Sequence, residues 1–460
     1  MRWYERLTLA GYAALIWLAQ PLLRRKLARR GVREPGYQEA VGERFGHYAH
    51  EAPVTAGAVW IHAVSLGEAR AAAVLIAALR AQEPGLRFLL THGTATGRAE
   101  GQLLLKPGDL QAWLPWDTPG AARRFLAHFR PAIGVFVETE VWPILLAQCR
   151  VHGVPTVLAN ARMSEISARK AARLGWLSRP AFAGFAAVLA QTARDAERLG
   201  ALGAREPRVC GSVKYDARPD AELLARGRAW ARHAGRPVVL LASSREGEEQ
   251  AFFEEVWQQI VVGTPFDSTR KMMRSPWCLV VPRHPQRFDA VAAVAAAQGF
   301  EVSRRSTWGA DGPAGVSEGD GSRPVVLLGD SLGEMPLYYG LAAVALLGGS
   351  FGGTGGQNLI EAAACGCPLI LGPSTYNFAD AAVHAIAHGA AERVSNVHQG
   401  VRLALQWLED PQALRERGDR GEASVQPHRG AALAQAQAIL ALKPSSGGSQ
   451  FPTTLRGYVV

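Results

Sequence analysis

The residues best suited to chemistry in this sequence stand directly after short apolar runs that predict β-strands. The first is Glu68, at the end of the segment 64–68 (VSLGE), which closes a predicted strand over 59–64 and opens a predicted helix. A carboxylate at this point faces the carboxyl edge of a sheet, where open α/β sheets bind their ligands. The same position also suits an acidic helix cap that offsets the helix dipole. The loop alone leaves both readings open.

Further charged residues follow other predicted strands. Glu138 and Glu140 come directly after the apolar run 133–137. Carboxylates are costly to bury without partners, so these two should face a cleft or pair with cations. Lys214 and Arg283 are the basic candidates, and Arg283 also follows a predicted buried strand. Salt bridges among these groups and the binding of an anionic substrate are both compatible with the pattern.

A glycine-rich loop at 348–358 (GGSFGGTGGQN) leads from a predicted strand into a predicted helix. Backbone N–H groups in such a loop can approach a phosphate closely, and the start of a helix adds partial positive charge. Glu361, one turn into that helix, is placed to accept hydrogen bonds from ribose hydroxyls. The loop lacks the pattern of a Walker triphosphate site, and its late position argues against an ordinary NAD site. The alternative is a merely flexible loop.

Two series of alternating strands and helices must position these residues. The predicted strands of the first series cover 59–64, 87–91, 133–137 and 156–159. Those of the second series cover 237–242, 277–281, 325–328, 344–347 and 368–371. Because strands separated by helices form parallel sheets covered on both faces, we expect an α/β protein with two doubly wound halves. We expect the halves to join near 214–235 and to leave a cleft between the carboxyl ends of their strands.

Composition limits the classes of protein to which the chain can belong. Its 460 residues are 48% hydrophobic, which favours two folded domains over a disordered chain. Five cysteines, none in a C-x-x-C pair, argue against a disulfide framework and a structural zinc site. The net charge of +10 points to a polyanionic partner. No zinc finger, RNP motif or basic–aromatic pattern supports nucleic acid as that partner.

The first fifty residues carry half of this net charge, with nine basic and four acidic residues. An uncharged run over 7–23 is followed at once by a basic cluster over 24–33. This order is unlike that of a cleaved signal peptide and predicts a membrane anchor whose basic side lies in the cytoplasm, against anionic lipid. A buried core helix with a solvated basic end is the alternative.

The order of the motifs resembles the Kdo transferase family of lipopolysaccharide synthesis, where Kdo is 3-deoxy-D-manno-octulosonic acid. The resemblance covers nearly the whole chain, from the predicted anchor to about residue 430. Its marks are WIHAVSLGE (60–68), FVETEVWP (136–143), LANARMS (158–164), GSVKYD (211–216), SREGEE (244–249), VPRHPQRF (281–288), GDSLGEM (329–335) and GGSFGGTGGQNLIEA (348–362).

The resemblance implies a metal-independent, inverting GT-B glycosyltransferase with two Rossmann-like domains, which uses no cofactor. It would move Kdo from CMP-Kdo to a lipid A precursor, lipid IVA, at the cytoplasmic face of a bacterial inner membrane. Glu68 would be the general base, and Glu138 and Lys214 would stabilise the transition state. The residues implied in CMP binding are Pro282, Arg283, Leu332, Gly333, Glu334, Asn358, Leu359, Ile360 and Glu361. The implied partners are the donor, the acceptor and anionic inner-membrane lipid, and not nucleic acid.

The domain boundaries predicted with this resemblance are an anchor over 1–33, an acceptor-binding domain over 34–214, a linker over 215–235, a CMP-sugar-binding domain over 236–443 and a flexible tail over 444–460. Loop insertions are expected at 263–275 and 303–323. The chain departs from the family pattern where Gln357 replaces a usual His and where Arg245 stands in a usual Ser-Thr-His-Glu segment. A transferase for another nucleotide sugar and a lipid-binding scaffold without turnover are the alternatives.

Overall fold

The computed structural model describes residues 3–49, 57–259, 275–313 and 324–444. They form two compact units. The first comprises Met1–Asp216 with Arg429–Val460, and the second comprises Ala217–His428.

The first unit is a parallel sheet between helices. Its strands are β1 (Val59–His62), β2 (Phe88–His92), β3 (Leu110–Trp113), β4 (Ile133–Val137), β5 (Thr156–Ala161), β6 (Ala187–Ala190) and β7 (Arg208–Val209). Its helices up to residue 216 are α1 (Trp3–Arg33), α2 (Leu66–Gln82), α3 (Ala95–Gln102), α4 (Pro119–Phe129), α5 (Pro143–Val151), α6 (Glu165–Arg173), α7 (Gly175–Phe182) and α8 (Ala193–Ala201). The strand order is β3-β2-β1-β4-β5-β6-β7.

Side chains that point alternately to the two faces of the sheet divide the core of this unit into two layers. In β1, Trp60 packs into one apolar cluster, whereas Val59 and Ile61 pack into the cluster on the opposite face. In β4, Phe136 and Val135 divide between the same two clusters. Since successive side chains of a strand point to opposite faces, a sheet covered on both sides needs apolar residues throughout. This explains why the central strands are continuous apolar runs in the sequence.

The second unit repeats this architecture. Its strands are β8 (Val238–Ser244), β9 (Trp277–Pro282), β10 (Glu301–Arg304), β11 (Val325–Leu328), β12 (Val344–Leu347), β13 (Leu369–Leu371) and β14 (Ala391–Arg393). Its helices are α9 (Ala221–Ala234), α10 (Glu248–Trp257), α11 (Phe288–Ala297), α12 (Met335–Leu341), α13 (Leu359–Ala364), α14 (Ala379–Ala387), α15 (Val397–Trp407) and α16 (Pro411–Val425). The strands are parallel, in the order β10-β11-β9-β8-β12-β13-β14.

Strand order defines where each sheet can bind a ligand. In the first sheet β1 lies between β2 and β4, and in the second β8 lies between β9 and β12. The strands before β4 extend from β1 to one side and those from β4 onward extend to the other, and the same reversal occurs between β8 and β12. In open α/β sheets the ligand crevice lies outside the carboxyl ends of the strands at such a switch point.

The segment 215–235, predicted to be a linker, is largely the packed helix α9. A Cβ atom built on Gly227 would lie 2.1 Å from the carbonyl oxygen of Leu337, so α9 and α12 approach each other almost backbone to backbone. Of the predicted insertions, Ser303 and Arg304 belong to β10, while 263–274, 314–323 and the tail 445–460 lie outside the described residues.

The last helix, α17 (Ala431–Leu442), returns to the first unit and packs against α2. The boundary predicted at 236–443 placed it in the second domain. Its anchor is Gln435, which is fully buried. The Gln435 side chain accepts a hydrogen bond from the Asn160 backbone N–H at 2.7 Å and donates one to the Gly211 carbonyl at 3.1 Å.

We expect Gln435→Met to lower the free energy of unfolding of the first unit by about 2–4 kcal/mol. The substitution keeps the volume of the side chain but leaves two buried backbone groups without their partner. Gln437→Met, on the exposed side of the same helix, should change it by less than about 0.5 kcal/mol. Urea unfolding of both variants measures the difference, and equal effects would contradict the anchoring role.

Candidate active site

The carboxyl edge of the first sheet carries the predicted catalytic residues. Glu68 follows β1 at the start of α2, Glu138 follows β4, and Lys214 lies in a 3₁₀ turn (Val213–Asp216) after β7. The structure therefore brings to one edge of one unit three residues that are widely separated in sequence.

The Glu68 carboxylate is held at the first turn of α2. One oxygen accepts a hydrogen bond from the Val64 backbone N–H at 2.7 Å, and the other accepts one from the Ser65 hydroxyl at 3.1 Å. Ser65 in turn caps the helix by accepting from the Glu68 N–H at 3.4 Å. This is a capping arrangement, so Glu68 does cap α2. The same cap fixes the carboxylate at the sheet edge, where it can also take part in chemistry.

A neighbouring loop fixes the backbone that holds Glu68. The Val64 carbonyl accepts hydrogen bonds from the Thr94 hydroxyl at 2.8 Å and from the Gly93 backbone N–H at 3.2 Å. Gly97 lies so close that a Cβ atom on it would be 2.7 Å from the same carbonyl oxygen. The small and hydroxyl residues after β2 thus allow the two loops to touch.

Electrostatics set the proton affinity of Glu68. Burial raises its pKa to about 7, the hydrogen bond from Val64 opposes this rise, and the negative charges of Glu140 and Glu138 add to it. Burial disfavours the charged form of a carboxyl group, and like charges disfavour it further. A pKa near neutrality is suited to a general base, which must accept a proton and release it again.

Glu138 and Lys214 form an ion pair, with 2.8 Å between Lys214 Nζ and Glu138 Oε1. Both ends of the pair are held by the backbone. Glu138 has a left-handed conformation with φ of 65°, which is uncommon for a residue other than glycine. The turn that carries Lys214 is fixed by a hydrogen bond from the Val213 N–H to Asn160 Oδ1 at 3.2 Å. Backbone strain of this kind is concentrated at functional sites.

His62 and Glu140 complete this edge, and neither of them was predicted to have a catalytic role. His62 is fully buried, with Nδ1 3.0 Å from the Thr91 hydroxyl and Nε2 3.7 Å from a Glu140 carboxylate oxygen. The same Glu140 oxygen accepts a hydrogen bond from the Trp142 indole at 3.0 Å. The only available signal was the spacing of Glu138 and Glu140, which places the second carboxylate two residues after the first.

The carboxyl edge of the second sheet carries the residues predicted to bind CMP. They stand at or after the carboxyl ends of β11, β9 and β12, and in the sheet β8 lies between β9 and β12. Pro282 is the buried last residue of β9, and Arg283 is half-buried directly after it. The Arg283 Nε donates a hydrogen bond to Gln357 Oε1 at 3.1 Å. Gln357, which replaces a usual His, thus accepts from the arginine and orients it.

The glycine-rich loop is held by a carboxylate of its own unit. Glu248, which is buried, accepts hydrogen bonds from the Gly349 N–H at 2.8 Å and from the Phe351 N–H at 3.3 Å. It also accepts one from the Arg245 N–H at 2.8 Å. These donors of the loop are therefore engaged within the protein. The later N–H groups of the loop are the ones to consider for a phosphate.

The helix after this loop is short. α13 covers Leu359–Ala364, with Asn358 and Cys365 at its two caps. Its dipole is correspondingly small. The side chains of Leu359 and Ile360 are buried, so these two residues can contact a ligand only through the backbone. Asn358 and Glu361 are half-buried.

The segment after β11 presents a different set of groups. Leu332 is exposed, and Gly333 has a φ of 79° that favours glycine. The Glu334 carboxylate accepts hydrogen bonds from Arg305 at 2.9 Å and from the Ser331 hydroxyl at 2.5 Å. The turn is therefore ordered by its own acid, which the sequence pattern alone did not reveal.

Comparison with known proteins identifies the family. The family model described as 3-deoxy-D-manno-octulosonic-acid transferase (kdotransferase) matches residues 39–217. The chain is 48% identical over 433 residues to the 3-deoxy-D-manno-octulosonic acid transferase of Bordetella pertussis, which covers 92% of this chain and 95% of that protein. The chain belongs to the Kdo transferase family. This confirms the family that the ordered motifs predicted.

More distant comparisons agree. The Kdo transferase of Haemophilus influenzae is 29% identical over 427 residues, covering 91% of this chain and 95% of that protein. A crystal structure of a glycosyltransferase from Rickettsia africae is similar with a TM-score of 0.52 at 10% identity, covering 84% of this chain and 98% of that one. With the two parallel sheets, this likeness confirms the predicted GT-B fold class.

Proposed function

We propose that this Kdo transferase family member moves Kdo from CMP-Kdo onto a hydroxyl group of a lipid A precursor, lipid IVA. In this proposal the reaction inverts the anomeric carbon of Kdo, needs no metal ion and takes place at the cytoplasmic face of the inner membrane. The observation that carries the proposal is the Glu68 carboxylate, held at the carboxyl edge of the first sheet with its pKa raised to about 7.

The residues of the first unit account for the transfer step. Glu68 takes the proton of the acceptor hydroxyl while the oxygen of that hydroxyl forms a bond to the anomeric carbon of Kdo. The bond from that carbon to the phosphate oxygen breaks, and CMP leaves with the electron pair. Lys214, oriented by Glu138 at 2.8 Å, supplies a fixed positive charge that stabilises the negative charge developing on the phosphate oxygen of the departing CMP. Preorganised charge is typically the largest single contribution to catalysis of this type.

The second unit supplies the proposed donor site. Arg283, oriented by Gln357, would bind the nucleotide phosphate, and a guanidinium is well matched to phosphate geometry. Asn358 and Glu361 would contact the ribose and base, while Pro282, Leu332, Gly333, Leu359 and Ile360 would shape the surface around them. Glu334 is already bound to Arg305 at 2.9 Å, and its proposed part is to order this wall.

A groove in the first unit supports a phosphorylated, acylated acceptor. The groove has a volume of about 850 Å³ and lies between α1, the 3₁₀ turn Val41–Phe45 and the start of α4. Ala13, Trp17 and Phe45 are among its walls. Since α4 follows the carboxyl end of β3, the groove opens at the same sheet edge as Glu68.

Two arginines stand at this groove. The Arg24 guanidinium lies 4.2 Å from the centroid of the Phe45 ring, and Arg124 donates to the Phe45 carbonyl at 3.2 Å through Nε. Among the residues that the structure describes, no carboxylate forms a salt bridge with either guanidinium. An apolar wall beside two such cations suits the acyl chain and the phosphate of a lipid A precursor.

The proposed reaction is tested by mixing purified protein, CMP-Kdo and lipid IVA and by counting Kdo additions by mass. We expect transfer by the wild type, a loss on the order of 10²–10⁴-fold in Glu68→Gln, and a loss on the order of 10²-fold in Lys214→Ala. Since the base must be deprotonated, kcat/KM should fall as the pH drops below about 7.

The matched control for this test is Glu165→Gln, which removes an exposed carboxylate of α6 and should leave the rate unchanged. A chelator should also leave it unchanged. The proposal is wrong if wild type gives no Kdo-lipid product, if Glu68→Gln keeps full activity, or if a UDP-sugar is used in place of CMP-Kdo.

The acceptor groove is tested with the double variant Arg24→Ala/Arg124→Ala in detergent. We expect the KM for lipid IVA to rise at least about tenfold, because charge-assisted hydrogen bonds to the lipid phosphate are lost. The KM for CMP-Kdo should not change. Arg169→Ala, which removes an exposed arginine of α6, is the control. An unchanged acceptor KM in the double variant would contradict binding of the acceptor in this groove.

A further inference from the structure

The helix α1 has two different sides. One side packs on the body of the first unit, where Leu9, Tyr12 and Ala13 contact the apolar cluster beneath the sheet. Along its length α1 touches α5, α7 and the 3₁₀ turn Pro35–Gln38. By length and composition the segment Arg6–Val32 could cross a membrane. Length and composition do not distinguish a spanning helix from one that lies at the membrane surface, so the packing of α1 against the first unit must do so.

A buried polar contact fastens α1 to the body near the middle of its apolar run. Tyr12 is hydrogen-bonded to the carboxylate of Asp117, which is itself buried. The Asp117 oxygens also accept from the Ile144 N–H at 3.2 Å and from the Leu145 N–H at 2.8 Å. One side chain thus ties α1 to the start of α5.

The other end of the helix packs against the turn that follows it. Gly31 is buried, and a Cβ atom built on it would lie 2.4 Å from the Gln38 side chain. The residue after this turn is bound to the body, since the Trp113 indole donates to the Glu39 carbonyl at 2.8 Å, so α1 cannot swing away without breaking the Tyr12–Asp117 contact. If the run 7–23 crossed the bilayer in this arrangement, Asp117 and its loop would be carried to hydrocarbon depth. Irregular backbone and charged groups at that depth are strongly disfavoured.

We propose that α1 does not span the membrane but lies in the interface of one leaflet, held parallel to the surface of the first unit. This inference rests on the membrane location included in the proposed function and specifies how that location is reached. The partner is the anionic surface of a lipid bilayer.

The side of α1 that faces away from the body fits this partner. Its exposed leucines are Leu7, Leu15, Leu18 and Leu22, with 64%, 63%, 66% and 70% of their surface accessible. Their spacing places them on one side of a helix. Arg25, Lys26 and Arg29 follow three to seven residues after Leu22 and continue that side. An apolar stripe flanked by basic residues inserts into the boundary of head groups and acyl chains.

Topology is the first test. The full chain is given a short protease-cleavable tag before Met1 and a second tag at its end. Intact spheroplasts are then treated with protease. An interfacial α1 keeps both tags protected until the cells are lysed. A spanning α1 with its basic flank inside exposes the first tag in intact spheroplasts, and this result would overturn the proposal.

Binding of purified protein to phosphatidylglycerol-containing vesicles is the second test. Leu15→Glu/Leu18→Glu should weaken binding on the order of 10²-fold, because two leucines lose their burial in the acyl region. Leu103→Glu, at a leucine of 79% exposure outside α1, should bind as wild type does. Equal binding by all three proteins would contradict a role for the stripe.

These outcomes are separable from those of the transfer assay. Kdo transfer in detergent does not depend on how α1 meets a bilayer. A protected tag with no transfer would refute the proposed function alone, and an exposed tag with normal transfer would refute the interfacial helix alone.

Discussion

Burying a carboxylate costs free energy unless donors and cations offset it, and the first unit depends on how this cost is met at Glu68. The Val64 N–H and the Ser65 hydroxyl hold the side chain, and the loop after β2 holds Val64. These contacts only partly offset burial, so the pKa stays raised to about 7. At the same edge Glu138 is compensated by Lys214 at 2.8 Å. One edge thus presents a carboxyl group that can gain and lose a proton beside a fixed ion pair.

The second unit uses a carboxylate in the opposite way. Glu248 accepts hydrogen bonds from the backbone N–H groups of Gly349 and Phe351, so its carboxylate fixes the shape of the glycine-rich loop. Glycine is favoured where the backbone is left-handed, as at Gly349 with a φ of 71°. The loop therefore approaches a ligand as a preformed surface, and Arg283 is set beside it by Gln357. Preorganisation reduces the entropy that binding must overcome.

Much of this arrangement was predictable from the sequence. Strands buried on both faces are continuous apolar runs, so β1, β4, β9 and β12 could be found, together with the charged residues after the first three and the glycine-rich loop after β12. Strands without such runs were missed, including β7, with two exposed residues, and β10, which reads Glu-Val-Ser-Arg. The packing of α17 on the first unit depends on Gln435 contacts across more than 200 positions, which no local pattern reveals. The hydrogen bonds between Glu248 and the glycine-rich loop likewise join residues about 100 positions apart, so no local sequence pattern reveals them.

Titration of Glu68 itself shows whether this carboxyl group exchanges a proton near neutral pH. Carboxyl ¹³C resonances of labelled glutamates in the full chain, assigned by difference from Glu68→Gln, give the pKa of this residue. We expect a Glu68 pKa of about 7, and a lower pKa in Glu140→Gln because a neighbouring negative charge is removed. A wild-type pKa near the ordinary 4.5 would contradict it.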